Sequence, residues 1–496
     1  MPFFIPIAVM KQFLNLIFAF LLLSCSKNEL RMEEGPRFHF VPERSMNSNV
    51  AGLIHNSGTF QLYYPEDRIT SLGWRTAESM DLLHWNISST YLEVCKEVPI
   101  NNPKRVISAT VIHDVSSKSG LCSDPTCLIF LQATWPCNSE PTSTFQPLGY
   151  SGDLGLTWVK SPGEIKTDLE LGRVRDAGVF FHNPTNQWIL MAPTDQRIHF
   201  FTSSDLKNWK HQSMFGPAGN TNLQWEDPEM LRLPIENDQG NYRWLLTVTS
   251  GHSTGNGFSA VQYFVGEFDG KSFIPEPSAS SANYLDQGKD FVGAMRIQSD
   301  QSLSEQPIVV GKIGNRLYGD DLPDKRLNGM LSYPRKLSLI RVHDTVRLKQ
   351  EPAVSLASEG LQQVSKIEDL SGFLHGAIQL TIGTSGTKPR GLHLLKTADH
   401  WIEIGYDPST NEVYVDRSRA GFVGFHPDFS GRDRYKLNEQ SESIELEMIL
   451  DRNLLEVFIQ GGEAVISTLL FPKDLYGKAE FFGESGDLKI KATLIP

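Results

Sequence analysis

From Phe38 onward apolar and polar residues alternate in short runs, as in Phe60-Gln61-Leu62-Tyr63-Tyr64, and clusters of Gly, Asn, Asp and Ser separate the runs. A period of two over five to eight residues, punctuated by turn formers, predicts many short antiparallel strands. Long amphipathic helical periods are absent, so the fold class is all-β. A repeat strengthens this reading. Ser79 to Trp85, Ser151 to Trp158 and Ser204 to Trp209 each carry a Ser, an Asp-Leu pair and a following Trp. Each predicts a tight turn in which the Asp caps backbone N–H groups and the Trp closes the edge of a propeller blade. Past Pro334 the register changes, and runs such as Ala377 to Ile382, Trp401 to Tyr406 and Leu455 to Ile459 predict a β-sandwich. The expected division is a propeller over 38–345 and a sandwich over 346–496.

The N-terminus follows a different pattern. Lys11 precedes an apolar run from Phe13 to Leu23, too short to span a bilayer as a mature helix, which reads as an export signal with Met10 as the natural start. Leu22-Leu23-Ser24-Cys25 is similar to a bacterial lipobox, with cleavage before Cys25 and a lipid on its thiol. A plain signal peptide with an incidental cysteine is the alternative. Residues 1–25 are thus expected to be the signal and 26–37 a polar tether, giving an exported lipoprotein of a bacterial cell surface or periplasm.

A chain of 496 residues has ample length for two cores, and 40% hydrophobic with 21% charged residues is ordinary for a protein folding in water. The net charge of -12 disfavours a nucleic-acid partner, which needs concentrated Lys and Arg. Cys95, Cys122, Cys127 and Cys137 lie close together, and in an oxidising compartment they suggest two disulfides, Cys122 with Cys127 across a Ser-Asp-Pro-Thr turn and Cys95 with Cys137. A zinc site fits these spacings poorly, since only His113 is near. No metal or organic cofactor is implied.

Several ordered motifs carry a resemblance. Ser45-Met46-Asn47-Ser48-Asn49-Val50-Ala51-Gly52 is similar to W-M-N-D-P-N-G; Trp74, seven residues before Asp81, fits W-G-H-A-x-S-x-D-L; Ser108 stands in an F-S-G-S-like stretch. Arg175-Asp176 matches F-R-D-P in its charged pair, and Trp225-Glu226-Asp227-Pro228 matches W-E-C-P in three of four positions. From Phe38 to its end the chain resembles glycoside hydrolase family 32. That resemblance implies a five-bladed β-propeller with an axial pocket, followed by a β-sandwich, and an oligo- or polysaccharide ligand of the β-fructoside class.

It also implies site residues. Glu226 would be the acid/base and Asp176 the stabiliser of positive charge on the sugar ring, with Asn47, Trp74, Ser108, Arg175 and Asp227 contacting substrate. Retaining hydrolysis needs a second carboxylate as nucleophile. At that position this chain has Ser48, and one extra residue precedes Gly52. A neutral serine without an adjacent base is a poor nucleophile. Lys312 and Arg316 stand where the family has tryptophans; solvated loop cations are the plainer reading, an anionic ligand the sharper one. Two functions stay open: a glycosidase of weak or redirected activity, drawing a carboxylate such as Glu43 or Asp227 from elsewhere, and a non-catalytic cell-surface glycan-binding protein.

Overall fold

The computed structural model describes residues 35–496 apart from 47–48, 68–71, 96–107, 115–116, 123–125, 134–144, 160–164, 172–173, 175, 222–223, 251–259, 277–281, 300–306, 356–361, 365, 371–374, 474–476, 484–487 and 495–496. The described part is built almost wholly of strands, arranged as five propeller blades and two facing sheets. Among the described residues no helix is long and apolar enough to cross a membrane.

Each blade begins with its innermost strand: Gly52–Asn56, Ser108–His113, Gly178–His182, Trp225–Pro234 and Phe291–Ser299. These five touch in a closed ring. Blades 1 and 5 are joined by a parallel pairing in which Leu53 opposes Ile297, while Val111 N–H donates to the Ala51 carbonyl at 2.8 Å between blades 1 and 2. Thr110 Oγ1 donates to the Ala177 carbonyl at 2.7 Å between blades 2 and 3. Closure of the ring leaves no inner edge exposed, which is how a propeller manages its unpaired strand groups.

The repeated turns take the predicted form, with one change of register. Asp81 Oδ1 accepts from the Leu83 and His84 N–H groups, and Asp205 Oδ1 from those of Lys207 and Asn208. Leu82, Leu154 and Leu206 all adopt left-handed backbone at the same place in the turn. The serine of the third copy is Ser203 rather than Ser204, because it is Ser203 Oγ that bonds Asp205. Asp81 and Asp205 are each held down to about 2: burial alone would raise them, and their capping hydrogen bonds outweigh it.

The expected division at 345/346 falls inside a strand. Thr345–Pro352 pairs along its whole length with Arg335–Val342 and completes blade 5. Beyond it, a six-stranded and a five-stranded sheet enclose a core containing Ile378, Leu380, Leu392, Ile404, Leu446 and Val457. A buried ionic seam binds this sandwich to the propeller. Arg335 donates from Nη2 to Asp286 at 2.8 Å and to Glu456 at 2.7 Å, and Arg417 bonds Asp290.

Cys122 and Cys127 lie within disulfide-bonding distance, their Cα atoms 6.0 Å apart. Cys25 and Cys137 lie outside the described residues, as does the side chain of Cys95.

Candidate active site

A cavity of about 690 Å3, its open mouth included, sits on the propeller axis and takes wall residues from all five inner strands or the turns leading into them. Asn49 to Gly52 come from blade 1, Ala109 and Thr110 from blade 2, Asp176 to Val179 from blade 3, Asp227 to Glu229 from blade 4, and Gly293 to Arg296 from blade 5.

Blades 3 and 4 deliver their acids by the same device. Asp176 and Asp227 both have left-handed backbone, with φ of 50° and 48°. Asp tolerates that region better than most residues, yet it is a local strain, and such strain gathers at functional sites. In blade 4 the strand register also shifts between Glu226 and Glu229, so the side chains there leave simple alternation and Asp227 faces the cavity. Gly293 repeats the kink in blade 5, with φ of 73°.

Opposite charges are packed tightly around these acids. The Asn49 side-chain amide donates to Asp227 Oδ2. Arg316 Nη2 donates to Glu226 Oε2 at 2.6 Å, and Arg296 pairs with Glu229 at 3.3 Å. Burial, together with the charges of Asp176 and Glu226, pushes Asp227 well above the usual carboxylate range against the pull of Arg316 and Asn49. Glu229 is raised to about 7, mainly by burial. Burial and the neighbouring Arg316 bring Lys312 down to about 8 although three carboxylates act the other way.

Not every expected residue reaches the cavity. Glu226 is buried beside it but is not on its wall. Trp74 does not line it: the ring is 2% exposed and packs edge-on against Phe130 in the core between blades 1 and 2, because its position in the strand points into that packing layer. Glu43 does not line it either; its carboxylate is largely exposed and pairs with Arg75. Asn47, Ser48 and Arg175 lie outside the described residues, as does the side chain of Ser108. Asn49 is the residue of that first loop seen to meet the acids. Lys312 and Arg316 are not solvated loop cations: Lys312 lines the cavity and Arg316 holds Glu226. Glu229 and Arg296 were not foreseen from sequence, since they meet only where blades 4 and 5 touch. Among the described residues no group of three or more His, Cys, Asp and Glu side chains is arranged to hold a metal ion.

A model of the glycosyl hydrolases family 32 N-terminal domain matches residues 39–352, and one of the family 32 C-terminal domain matches 342–495. The chain belongs to glycosyl hydrolases family 32. Among its family relatives, the levanase of Bacillus subtilis is 25% identical, over 93% of this chain and 70% of its own length. The extracellular exo-inulinase of Aspergillus niger is 25% identical over 88% and 89%, and Invertase 1 of Saccharomyces cerevisiae 24% over 93% and 94%. The crystal structure of exo-inulinase from Aspergillus awamori superposes with a TM-score of 0.79 at 23% identity, covering 94% of this chain and 99% of that one. β-Fructofuranosidase from Schwanniomyces occidentalis, complexed with fructosyl-erythritol, gives 0.76 at 22% identity, covering 92% and 97%. The shared architecture is a propeller followed by a sandwich.

Proposed function

We propose that this family 32 protein hydrolyses O-glycosidic bonds of fructosides or a related glycan in the axial cavity, with weak or redirected activity. The observation carrying the reading is the convergence of Asp176 and Asp227 on the cavity wall, with buried Glu226 close enough to Asp227 to act on its charge. Carboxyl groups in different charge environments are what glycoside hydrolysis needs. The names of the relatives, levanase, exo-inulinase and invertase, support a fructose-containing substrate. Weakness follows from the first loop: Ser48 stands at the nucleophile position of the family motif, and a neutral serine without an adjacent base is a poor nucleophile.

One arrangement favours the second reading, a glycan-binding protein without turnover. Asp227 and Glu226 are each already engaged, by Asn49 and Arg316. The purified protein should be given levan, inulin, sucrose and an aryl fructoside, with and without azide or formate. Turnover without added anion, cut about 100-fold in Asp176→Asn, supports the hydrolase. Turnover only with the anion marks an otherwise intact hydrolase site lacking its nucleophile, and binding with no turnover in either condition supports the binding protein.

The protein is exported and held at the membrane by a lipid on Cys25, a reading that rests on the apolar run ending in Leu22-Leu23-Ser24-Cys25. A Cys25→Ala variant moves from the membrane to the soluble fraction if that is so.

A further inference from the structure

The sandwich reaches toward the cavity acids through one segment. Residues 314–318 follow the strand Ile308–Ile313 of blade 5, and Arg316 of that segment donates from Nη2 to Glu226 Oε2 at 2.6 Å. Resting on the hydrolase reading, we infer that Arg417 of the sandwich and Tyr318 are positioning residues for the site: through them the docked sandwich fixes the backbone that carries Arg316, and Arg316 fixes Glu226.

The segment is tied at both ends to the turn before the inner strand of blade 5. Gly314 N–H donates to the Asp290 carbonyl at 2.8 Å, and the Asn315 side-chain amide to the Lys289 carbonyl at 2.6 Å. Asn315 Oδ1 in turn accepts from Leu317 N–H at 2.8 Å, which sets the backbone on either side of Arg316. At the far end the Tyr318 hydroxyl donates to Asp290 Oδ1.

The sandwich completes the hold. Arg417 donates from Nη2 to the Tyr318 hydroxyl at 2.8 Å, from Nη1 to Asp290, and from Nε to the Phe429 carbonyl at 2.6 Å. Leu469 N–H, at the end of a sandwich strand, donates to Asp290 Oδ2 at 2.8 Å. The Tyr318 ring meets Phe429 edge-on, and the Arg417 guanidinium lies 3.7 Å from the centre of the same Phe429 ring. Tyr318 and Leu322 share one core cluster with Phe429, Leu469 and Phe471.

Arg417 and Asp290 are both fully buried, and a buried pair whose hydrogen bonds are satisfied strongly resists displacement. The pairs stand in series: Arg417 with Tyr318 and Asp290, then Arg316 with Glu226. A guanidinium on a rooted backbone is held ready at its carboxylate, while one on a loose segment spends part of its time elsewhere. Misplacing a group at the reacting bond by about 1 Å costs about 100-fold in rate.

The test compares wild type, Arg417→Met, Tyr318→Phe, Arg316→Gln and the double variant Arg316→Gln with Tyr318→Phe on sucrose or levan, with urea unfolding alongside. Tyr318→Phe keeps the ring and loses only the hydroxyl, so it stays informative if Arg417→Met does not fold. Tyr318→Phe is expected to lower kcat about fivefold and Arg417→Met about tenfold, with KM changed less than about twofold. In the Arg316→Gln background the loss from Tyr318→Phe shrinks to under about twofold, because its route to Glu226 is gone. Arg335→Met, in the other ionic seam between the same two domains, lowers the urea midpoint but keeps kcat within about twofold. Nitrogen NMR of the Arg316 guanidinium, sharp in wild type and broadened in Tyr318→Phe, reads the same link without turnover. An unchanged kcat in Tyr318→Phe, an equal loss with and without Arg316, or a fall in Arg335→Met as large as in Arg417→Met overturns the inference and leaves the hydrolase reading standing. A wild type without turnover overturns the hydrolase reading; an Arg316 signal unchanged in Tyr318→Phe then overturns the positioning link as well, and a broadened one upholds it.

Discussion

The side-chain amide of Asn49 donates a hydrogen bond to Oδ2 of Asp227, joining the first loop of the propeller to the inner strand of blade 4 across the cavity. The bond favours the ionised form of Asp227 and opposes the upward push of burial and of Asp176 and Glu226. In Asn49→Ala that opposition disappears. The titration of Asp227 should therefore move to higher pH, which carboxyl-carbon NMR of wild type and variant reads directly.

Arg335 is fully buried between Asp286 and Glu456, and its guanidinium packs 4.5 Å from the centre of the Phe291 ring. Arg335→Met leaves buried Asp286 without its cation and Glu456 with His39 alone. The expected cost is about 3–5 kcal/mol of unfolding free energy, measured as a lower urea midpoint. Arg335→Met combined with Asp286→Asn should recover part of it, since the stranded charge is removed.

His39 lies between Asp451 at 2.7 Å and Glu456 at 3.1 Å. Burial by itself would favour the neutral ring, but the hydrogen bonds and charges of the two acids raise it to about 9. Its ordinary value is about 6.5. This contribution is thus fully present below about pH 6.5 and lost as pH rises through about 9. Glu456 behaves in the opposite sense: burial would raise it, His39 and Arg335 bring it down to about 2, and its contribution is lost as pH falls from about 4.5 toward 2. Chemical denaturation of wild type and His39→Gln should differ by on the order of 3 kcal/mol at pH 6. That difference should shrink steadily above pH 7.

Gly178 opens the inner strand of blade 3 against blade 4. A Cβ there would stand 2.2 Å from the Pro228 carbonyl oxygen, a backbone atom that yields only if the blades separate. Gly178→Ala is expected to cost about 1–3 kcal/mol and to lower turnover through displacement of Pro228 and its neighbour Asp227. Thermal unfolding and kcat together check it.

Much of the architecture is legible along the chain, because strand alternation and the Ser, Asp-Leu, Trp turns are local. Asp81 and Asp205 cap within their own turns, so neighbouring residues contain the whole interaction. Glu226, Asp227 and Asp176 were also visible, as motif residues in chain order. What a linear reading could not assign was which way they face. Glu226 and Asp227 are adjacent in sequence, and only the register shift and left-handed backbone of blade 4 put Asp227 on the cavity wall and Glu226 in a pair with Arg316. Trp74 was misread for the same reason: its motif marks a blade, while its exposure depends on which layer that blade packs against.

The sequence by itself determined the all-β class, the repeat and the acids available for chemistry, since each is encoded by residues a few positions apart. Tertiary structure alone decided the partners: Asn49 with Asp227, Arg316 with Glu226, Arg335 with Asp286 and Glu456. Those pairs lie far apart in the chain, and a charge's protonation and role depend on burial and on neighbours that the closing of the propeller ring and the docking of the sandwich bring to it.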